Sequence, residues 1–138
     1  MHLPHSSRYA VSASVYLASQ SDGNYHMVEE VAGRTGLPVS YLAKIMQRLA
    51  RKNILDSRRG AKGGYRLIRP AQDVTLSEIV AASYQMEASP MPCMIEAKDC
   101  DTNHPCSMHR FVASTEIALW KQLNQTTLAS FSDQTPQY

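Results

Sequence analysis

Leu42, Ile45, Met46 and Leu49 follow the spacing i, i+3, i+4, i+7 that marks one buried face of a helix. The residues among them, Ser40, Tyr41, Lys44, Gln47, Arg48 and Arg51, are polar or basic and fall on the opposite face. Pro38 suits the first position of this helix, where its missing N–H would have no partner anyway. Upstream, Met27, Val28, Val31 and Ala32 give a shorter helical face that closes at Thr35-Gly36. Before that, SRYAVSASVYLA at 7–18 is small and apolar with no breaker. It reads as a first helix stopped by the turn SDGN at 21–24.

After the basic helix the pattern becomes that of a hairpin. Residues 54–59 read as a strand, 60–64 (GAKGG) as a tight turn and 65–68 as the return strand. Two helices joined by a Gly-containing turn, with a basic hairpin directly after the second, describe a winged helix-turn-helix. The wing glycines let backbone approach a phosphate or a groove. A nucleotide cradle is the other use of such a loop, but GAKGG lacks the Walker spacing and no crossover unit surrounds it. Further on, Thr75 and Glu78 form a capping box ahead of a helix whose Leu76, Ile79 and Val80 face the core.

The stretch ASPMPC breaks regular structure before Cys93. A last long helix is expected from about Ser107 to Asn124. Its stripe is Met108, Phe111, Val112, Thr115, Leu119 and Leu123, with Trp120 beside it. So small a domain has little room to bury that stripe alone. A second copy of the chain is the natural cover, and a homodimer fits a pseudo-palindromic DNA operator. The expected fold is mainly α with a small β-hairpin wing. The chain divides into a DNA-binding domain at 1–86, a cysteine segment at 87–106, a dimerisation helix with a short return segment at 107–131, and a tail at 132–138.

The 138 residues suit one compact domain or a small domain with an appendage. No apolar run approaches a membrane span, and MHLPHSSRY carries no apolar core of a signal peptide. A cytoplasmic protein with reduced thiols is therefore expected, and its three cysteines are an odd number for a closed disulfide framework. The net charge is only +2, but nine of the fourteen Lys and Arg lie between 44 and 69, with Asp56 the one acid there. That window carries +8 and the remainder −6. Concentrated positive charge suits double-stranded DNA, where each neutralised phosphate releases counterions. An enzyme is not expected. No C-x-x-C, nucleotide motif or nucleophile–base pattern occurs, and a catalyst would leave the basic helix and wing without a use.

RYAVSASVYLA, LPVSYLAKIMQRLARKNIL, RRGAKGGYRL and DVTLSEIVAA, followed by a three-cysteine loop, resemble the Rrf-two family of bacterial transcription regulators. The resemblance covers nearly the whole chain. It implies a winged helix-turn-helix repressor or activator, a long C-terminal helix crossing its homodimer partner, and an iron–sulfur cluster on the three cysteines whose state changes DNA binding. It further implies that Ser40, Tyr41 and Lys44 lie near base edges and that Arg48 and Arg51 reach phosphates. Arg59, Gly60, Lys62 and Gly63 would form the wing tip in the adjacent minor groove. Members similar to IscR can carry a glutamate where this chain has Ala43. Alanine can neither accept from a cytosine amine nor repel a phosphate, so their target sequence does not transfer.

The cysteine segment runs Cys93, Cys100, Cys106, His109, spaced C-x6-C-x5-C-x2-H. Thiolates are soft donors for iron–sulfur clusters and zinc. Structural zinc usually takes tight C-x2-C knuckles, which are absent here, whereas wider gaps suit a cluster. A cluster needs a fourth ligand. His109 leads, about one helical turn after Cys106 and at the place where IscR-like members have a histidine ligand. NsrR-like members use an aspartate of the first helix, where this chain has Arg8. His104, Asp99, Asp101, His5 or a small external thiol are the other candidates. A histidine ligand leans towards 2Fe–2S, an oxygen ligand or open site towards 4Fe–4S. Structural zinc, or a thiol/disulfide switch on the same cysteines, is the alternative reading. The expected signal is iron, redox or nitric-oxide status. His2 and His26 read as surface residues.

Overall fold

The computed structural model describes residues 4–20, 22–83, 95, 100–101 and 103–133. The stretch ASPMPC, with Cys93, Asp99, His2 and the residues from 134 on, lies outside them. The elements in order are α1 (His5–Ser19), α2 (Val28–Thr35), α3 (Val39–Arg51), β1 (Leu55–Arg58), β2 (Gly64–Leu67), α4 (Leu76–Ser83) and α5 (Ser107–Gln125). Short 3-10 turns occupy Ala71–Asp73 and Leu128–Phe131. The expected class, mainly α with a small hairpin wing, is the observed one.

The core follows from the α3 stripe. Leu42, Ile45, Met46 and Leu49 are all fully buried. They meet Ala10 and Ala13 of α1, Val31 of α2 and Ile79 of α4 in one cluster. Burying four such side chains removes enough apolar surface to stabilise the domain by about 1.5–3 kcal/mol each. Pro38 sits one position earlier than expected: it is the N-cap, with extended backbone, and Val39 is the first helical residue. The turn before it works because Gly36 closes α2 at φ 72°, a left-handed conformation that glycine adopts without a Cβ penalty.

β1 and β2 pair antiparallel, Leu55 with Leu67, Asp56 with Arg66, Ser57 with Tyr65 and Arg58 with Gly64. Leu55 anchors the hairpin in the core. The outer side of β2 is also held, because His26 and Tyr65 exchange both backbone hydrogen bonds at 2.9 Å. Gly64 makes this approach feasible: a Cβ there would collide with the His26 carbonyl, and its φ is 121°.

The capping box is formed as the sequence predicts. The Thr75 N–H donates to Glu78 Oε2 (2.9 Å), and the Glu78 N–H donates to Thr75 Oγ1 (3.3 Å). The segment after α5 then returns to this point. Leu76 N–H donates to the Thr126 carbonyl and Leu128 N–H to the Val74 carbonyl, both at 2.9 Å, which seats Leu128 in the core.

His26 corrects the sequence reading. It is buried, with 7% of its surface exposed. Its Nδ1 lies 2.9 Å from Glu30 Oε1 and its Nε2 3.3 Å from Asp22 Oδ1, and the Tyr16 hydroxyl donates to the same Glu30 oxygen at 2.8 Å. Burial, followed by the Glu30 hydrogen bond and charge, pushes the Tyr16 phenol up to about 12. A histidine after a polar turn looks exposed in sequence. The wing strand packing across its backbone is what covers it.

Candidate nucleic-acid interface and cysteine segment

α3 presents its polar face outward because its apolar stripe is consumed by the core. Ser40, Tyr41, Lys44, Gln47 and Arg51 are exposed, and Arg48 is half-buried. Tyr41 is packed edge-on by Tyr9 of α1, with ring centroids 5.5 Å apart and planes at 84°. That contact restrains Tyr41 at the start of the helix. Val39, 44% exposed beside Ser40, was missed by the sequence reading. Its apolar surface suits a thymine methyl. It lies one residue before the polar face, and the off-stripe position was the available signal.

In the wing, Arg58, Arg59, Gly60 and Lys62 are exposed, and Gly63 is buried. The Gly63 N–H donates to the Gly60 carbonyl at 2.9 Å, which closes the tip. A Cβ on Gly63 would collide with the Arg58 carbonyl, so this position accepts glycine for space. Lys44, Arg51, Lys52, Arg58, Arg59 and Lys62 make no ion pair among the described residues, which leaves a cationic surface without internal neutralisation. Such a surface attracts polyanions.

The other basic side chains of the window are occupied. Arg66 sits 4.5 Å over the Tyr25 ring, 3.3 Å from Asp56 Oδ2 and 3.1 Å from the Gly23 carbonyl. The Tyr25 hydroxyl donates to the same Asp56 oxygen at 2.6 Å. This hydrogen bond, outweighing partial desolvation and helped by Arg66, holds the Asp56 carboxyl below its ordinary range. Arg69 reaches Glu78 at 2.7 Å and the Asp73 carbonyl at 2.9 Å. Arg48 Nη1 donates to the Ser83 carbonyl at 2.9 Å. The wing base is thus braced by Arg66, while its tip keeps its charge for a partner.

Cys106 is the N-cap of α5, and its Sγ accepts from the His109 N–H at 3.4 Å. Cys106 is exposed and Cys100 half-buried. His109 Nδ1 is a buried nitrogen with no hydrogen-bond partner. An orphaned imidazole nitrogen one turn from a cysteine sulfur is what a metal-ligating histidine looks like without its metal. A metal-bound thiolate also carries negative charge, which a helix N-terminus stabilises. A thiol and an imidazole three residues apart are donor types that a soft metal takes. Among the described residues no cluster of three or more His, Cys, Asp or Glu is gathered. Of the other candidate ligands, His104 Nδ1 lies 2.9 Å from Asp101 Oδ2, and His5 tilts against Tyr9 at 6.3 Å.

α5 exposes most of its predicted stripe. Phe111 is 67% exposed, Met108 and Thr115 are exposed, and Val112, Leu119 and Trp120 are half-buried. Leu123 differs: it is 8% exposed and packs within its own chain. Ile117, absent from the predicted stripe, is 70% exposed. It borders a shallow groove of about 550 Å³ with Ala113, Trp120 and Lys121. A branched apolar residue directly after Glu116 and off the predicted stripe was the sequence signal for it. No described helix is long and apolar enough to cross a membrane.

The family model described as Rrf2, iron-dependent transcriptional regulator, matches residues 3–134. Protein rrf2 of Nitratidesulfovibrio vulgaris is 30% identical over 129 residues, covering 94% of this chain and 85% of that protein. Among solved structures, T. potens IscR superposes with a TM-score of 0.73 at 22% identity, covering 94% of this chain and 84% of that one. CymR, described as the global cysteine regulator of B. subtilis, superposes with a TM-score of 0.76 at 20% identity, covering 96% and 97%.

Proposed function

The chain belongs to the Rrf2 (Rrf-two) family of DNA-binding transcriptional regulators, and from that premise we propose that it senses iron or redox status through an iron–sulfur cluster. Cys93, Cys100 and Cys106 would hold the cluster with His109 as fourth ligand, and 2Fe–2S is favoured over 4Fe–4S by the histidine. The observation that carries this reading is the buried, unpartnered His109 Nδ1 one turn from Cys106. When bound, the cluster supplies a centre that iron shortage, oxygen or nitric oxide can remove or alter. The chain's own contribution is to place one thiol and one imidazole at the start of α5. Whatever happens at these ligands is then transmitted to the helix that leads back to Thr126 and Leu76.

DNA would be read by Ser40, Tyr41 and Lys44 at base edges and by Arg51 at phosphates. Arg59, Gly60, Lys62 and Gly63 would lie in the minor groove. Two copies would pair through the apolar surface of α5, chiefly Met108, Phe111, Val112, Thr115, Leu119 and Trp120 with Ile117 added. Exposed apolar residues of this size on one helix support that pairing. A two-fold dimer would take a pseudo-palindromic operator.

The test is visible absorption with iron, sulfide and zinc analysis on anaerobically purified protein. Matched iron and sulfide at two per chain, reduced in the His109→Ala variant, is the expected result. Four per chain would move the reading to 4Fe–4S. Stoichiometric zinc without sulfide would replace the cluster with a structural site. Neither metal after reconstitution would leave a thiol switch. CymR of Staphylococcus aureus, whose solved oxidized form superposes at a TM-score of 0.72, shares the fold in that case too.

A further inference from the structure

The core consumes the apolar stripe of α3, yet two further apolar side chains stand at the start of that helix. Val39, its first residue, is 44% exposed. Ala43 follows one turn later and is half-buried. Among the described residues neither belongs to the core cluster or to the partly buried side chains packed against it, whereas Ala50 of the same helix does. Residues four apart lie one above the other on a helix, so Val39, Ala43 and Gln47 form one row along the edge of the polar face. The row is apolar over its first turn and ends in the exposed Gln47. Ser40 and Lys44, both exposed, form the row beside it. Nothing in the folding of the chain calls for valine here. A β-branched residue is a weaker helix former than alanine, and this one gains no core contact in return. Two methyl-bearing side chains set in a cationic, hydrogen-bonding surface have one counterpart on a DNA duplex. The major-groove edges of the four bases carry a single methyl, on C5 of thymine.

We propose that Val39, with the Ala43 methyl beside it, is a specificity-determining residue that packs on a thymine methyl of the operator. This contact adds to the base-edge contacts proposed above for Ser40 and Lys44. It rests on α3 lying in the major groove, and it does not involve the cysteines. The N-terminal residues of a recognition helix are the ones that reach base edges, and Val39 is the first of α3. Exposed cations such as Arg51, Arg58 and Lys62 supply attraction to any duplex. An apolar contact to one methyl does something they cannot: it separates thymine from cytosine at the same place in the groove.

The experiment uses the full chain and the duplex that the wild-type protein selects from a random pool. Each thymine of that duplex is replaced in turn by deoxyuridine, which keeps the base pair and removes only the methyl. At one position or more the replacement should lower wild-type affinity about fourfold, the effect of one buried methyl-sized group. In Val39→Ala the same replacement should lower affinity by less than about 1.5-fold, because side chain and methyl belong to one contact and their losses do not add. The slope of log affinity against log salt should be the same in both proteins, because no phosphate contact changes. Val39→Thr exchanges one of the two valine methyls for a hydroxyl and should leave a loss of about twofold. It decides the matter if Val39→Ala does not fold. A deoxyuridine effect undiminished in these variants, or a salt slope that falls by about one, overturns the contact. So does a duplex that wild type binds but that is indifferent to every deoxyuridine replacement, and that result leaves α3 standing as the DNA-reading helix. Failure of wild type to select any duplex would overturn both.

Discussion

α3 and α5 are both amphipathic helices, yet they meet opposite fates. Every residue of the α3 stripe is fully buried inside the protomer. Of the α5 stripe only Leu123 is buried, while Phe111 is among the most exposed apolar residues described. The difference lies in what surrounds each helix. α3 is enclosed by α1, α2, α4 and β1, so its apolar face finds partners within about fifty residues of chain. α5 touches the domain chiefly through α4 and its own C-terminal end. An apolar face that its own chain satisfies is a folding device. One left open is a surface for another molecule.

The largest expected effect breaks the comparison on the α3 side. Leu49→Ala removes a fully buried side chain and should lower unfolding free energy by about 2–5 kcal/mol, read as a lower urea midpoint with unchanged slope. If Leu49→Ala unfolds no more easily than wild type, the α3 stripe is not the core. The second variant attacks α5. Phe111→Ser with Ile117→Ser should leave helical content intact and convert a dimer to a monomer in sedimentation, with operator binding weakened accordingly. A dimer that persists would place the interface elsewhere.

The smallest effect concerns the joint between the two regions. Partial burial would raise the Glu78 carboxyl. The Thr75 N–H, Arg69 and the Thr75 hydroxyl more than offset this and hold it below its ordinary value. A carboxyl depressed in the folded state adds stability above its unfolded pKa, and that contribution is lost as pH falls through the folded value. Glu78→Gln should therefore cost about 0.5–2 kcal/mol near neutral pH and less below pH ~4. Urea melts of both proteins across that range check it. A difference that grows on acidification would reverse the sign and refute the capping role.

How much of this was legible in the sequence depended on the range of the interactions. The α3 stripe, the capping box and the glycine turn of the wing were legible because each is set within four to ten residues. The helix start at Val39 came out one residue from Pro38, since cap and first turn both accept proline. His26 was misread because its burial depends on Tyr65, thirty-nine positions away. The bond from Arg48 to the Ser83 carbonyl, thirty-five positions away, is likewise a long-range contact. Nothing in QRLARK announces that contact.

The sequence by itself determined the helical and hairpin elements, the buried face of α3, the concentration of positive charge between 44 and 69, and the gathering of cysteines ahead of α5. These follow from periodicity and composition, which are local. The tertiary structure decided which cations stay available and which are consumed, which apolar stripe is covered, and that His109 keeps an unsatisfied nitrogen beside Cys106. Those outcomes depend on what packs across from each side chain. Burial and hydrogen-bond partners are properties of the folded neighbourhood, not of the residue.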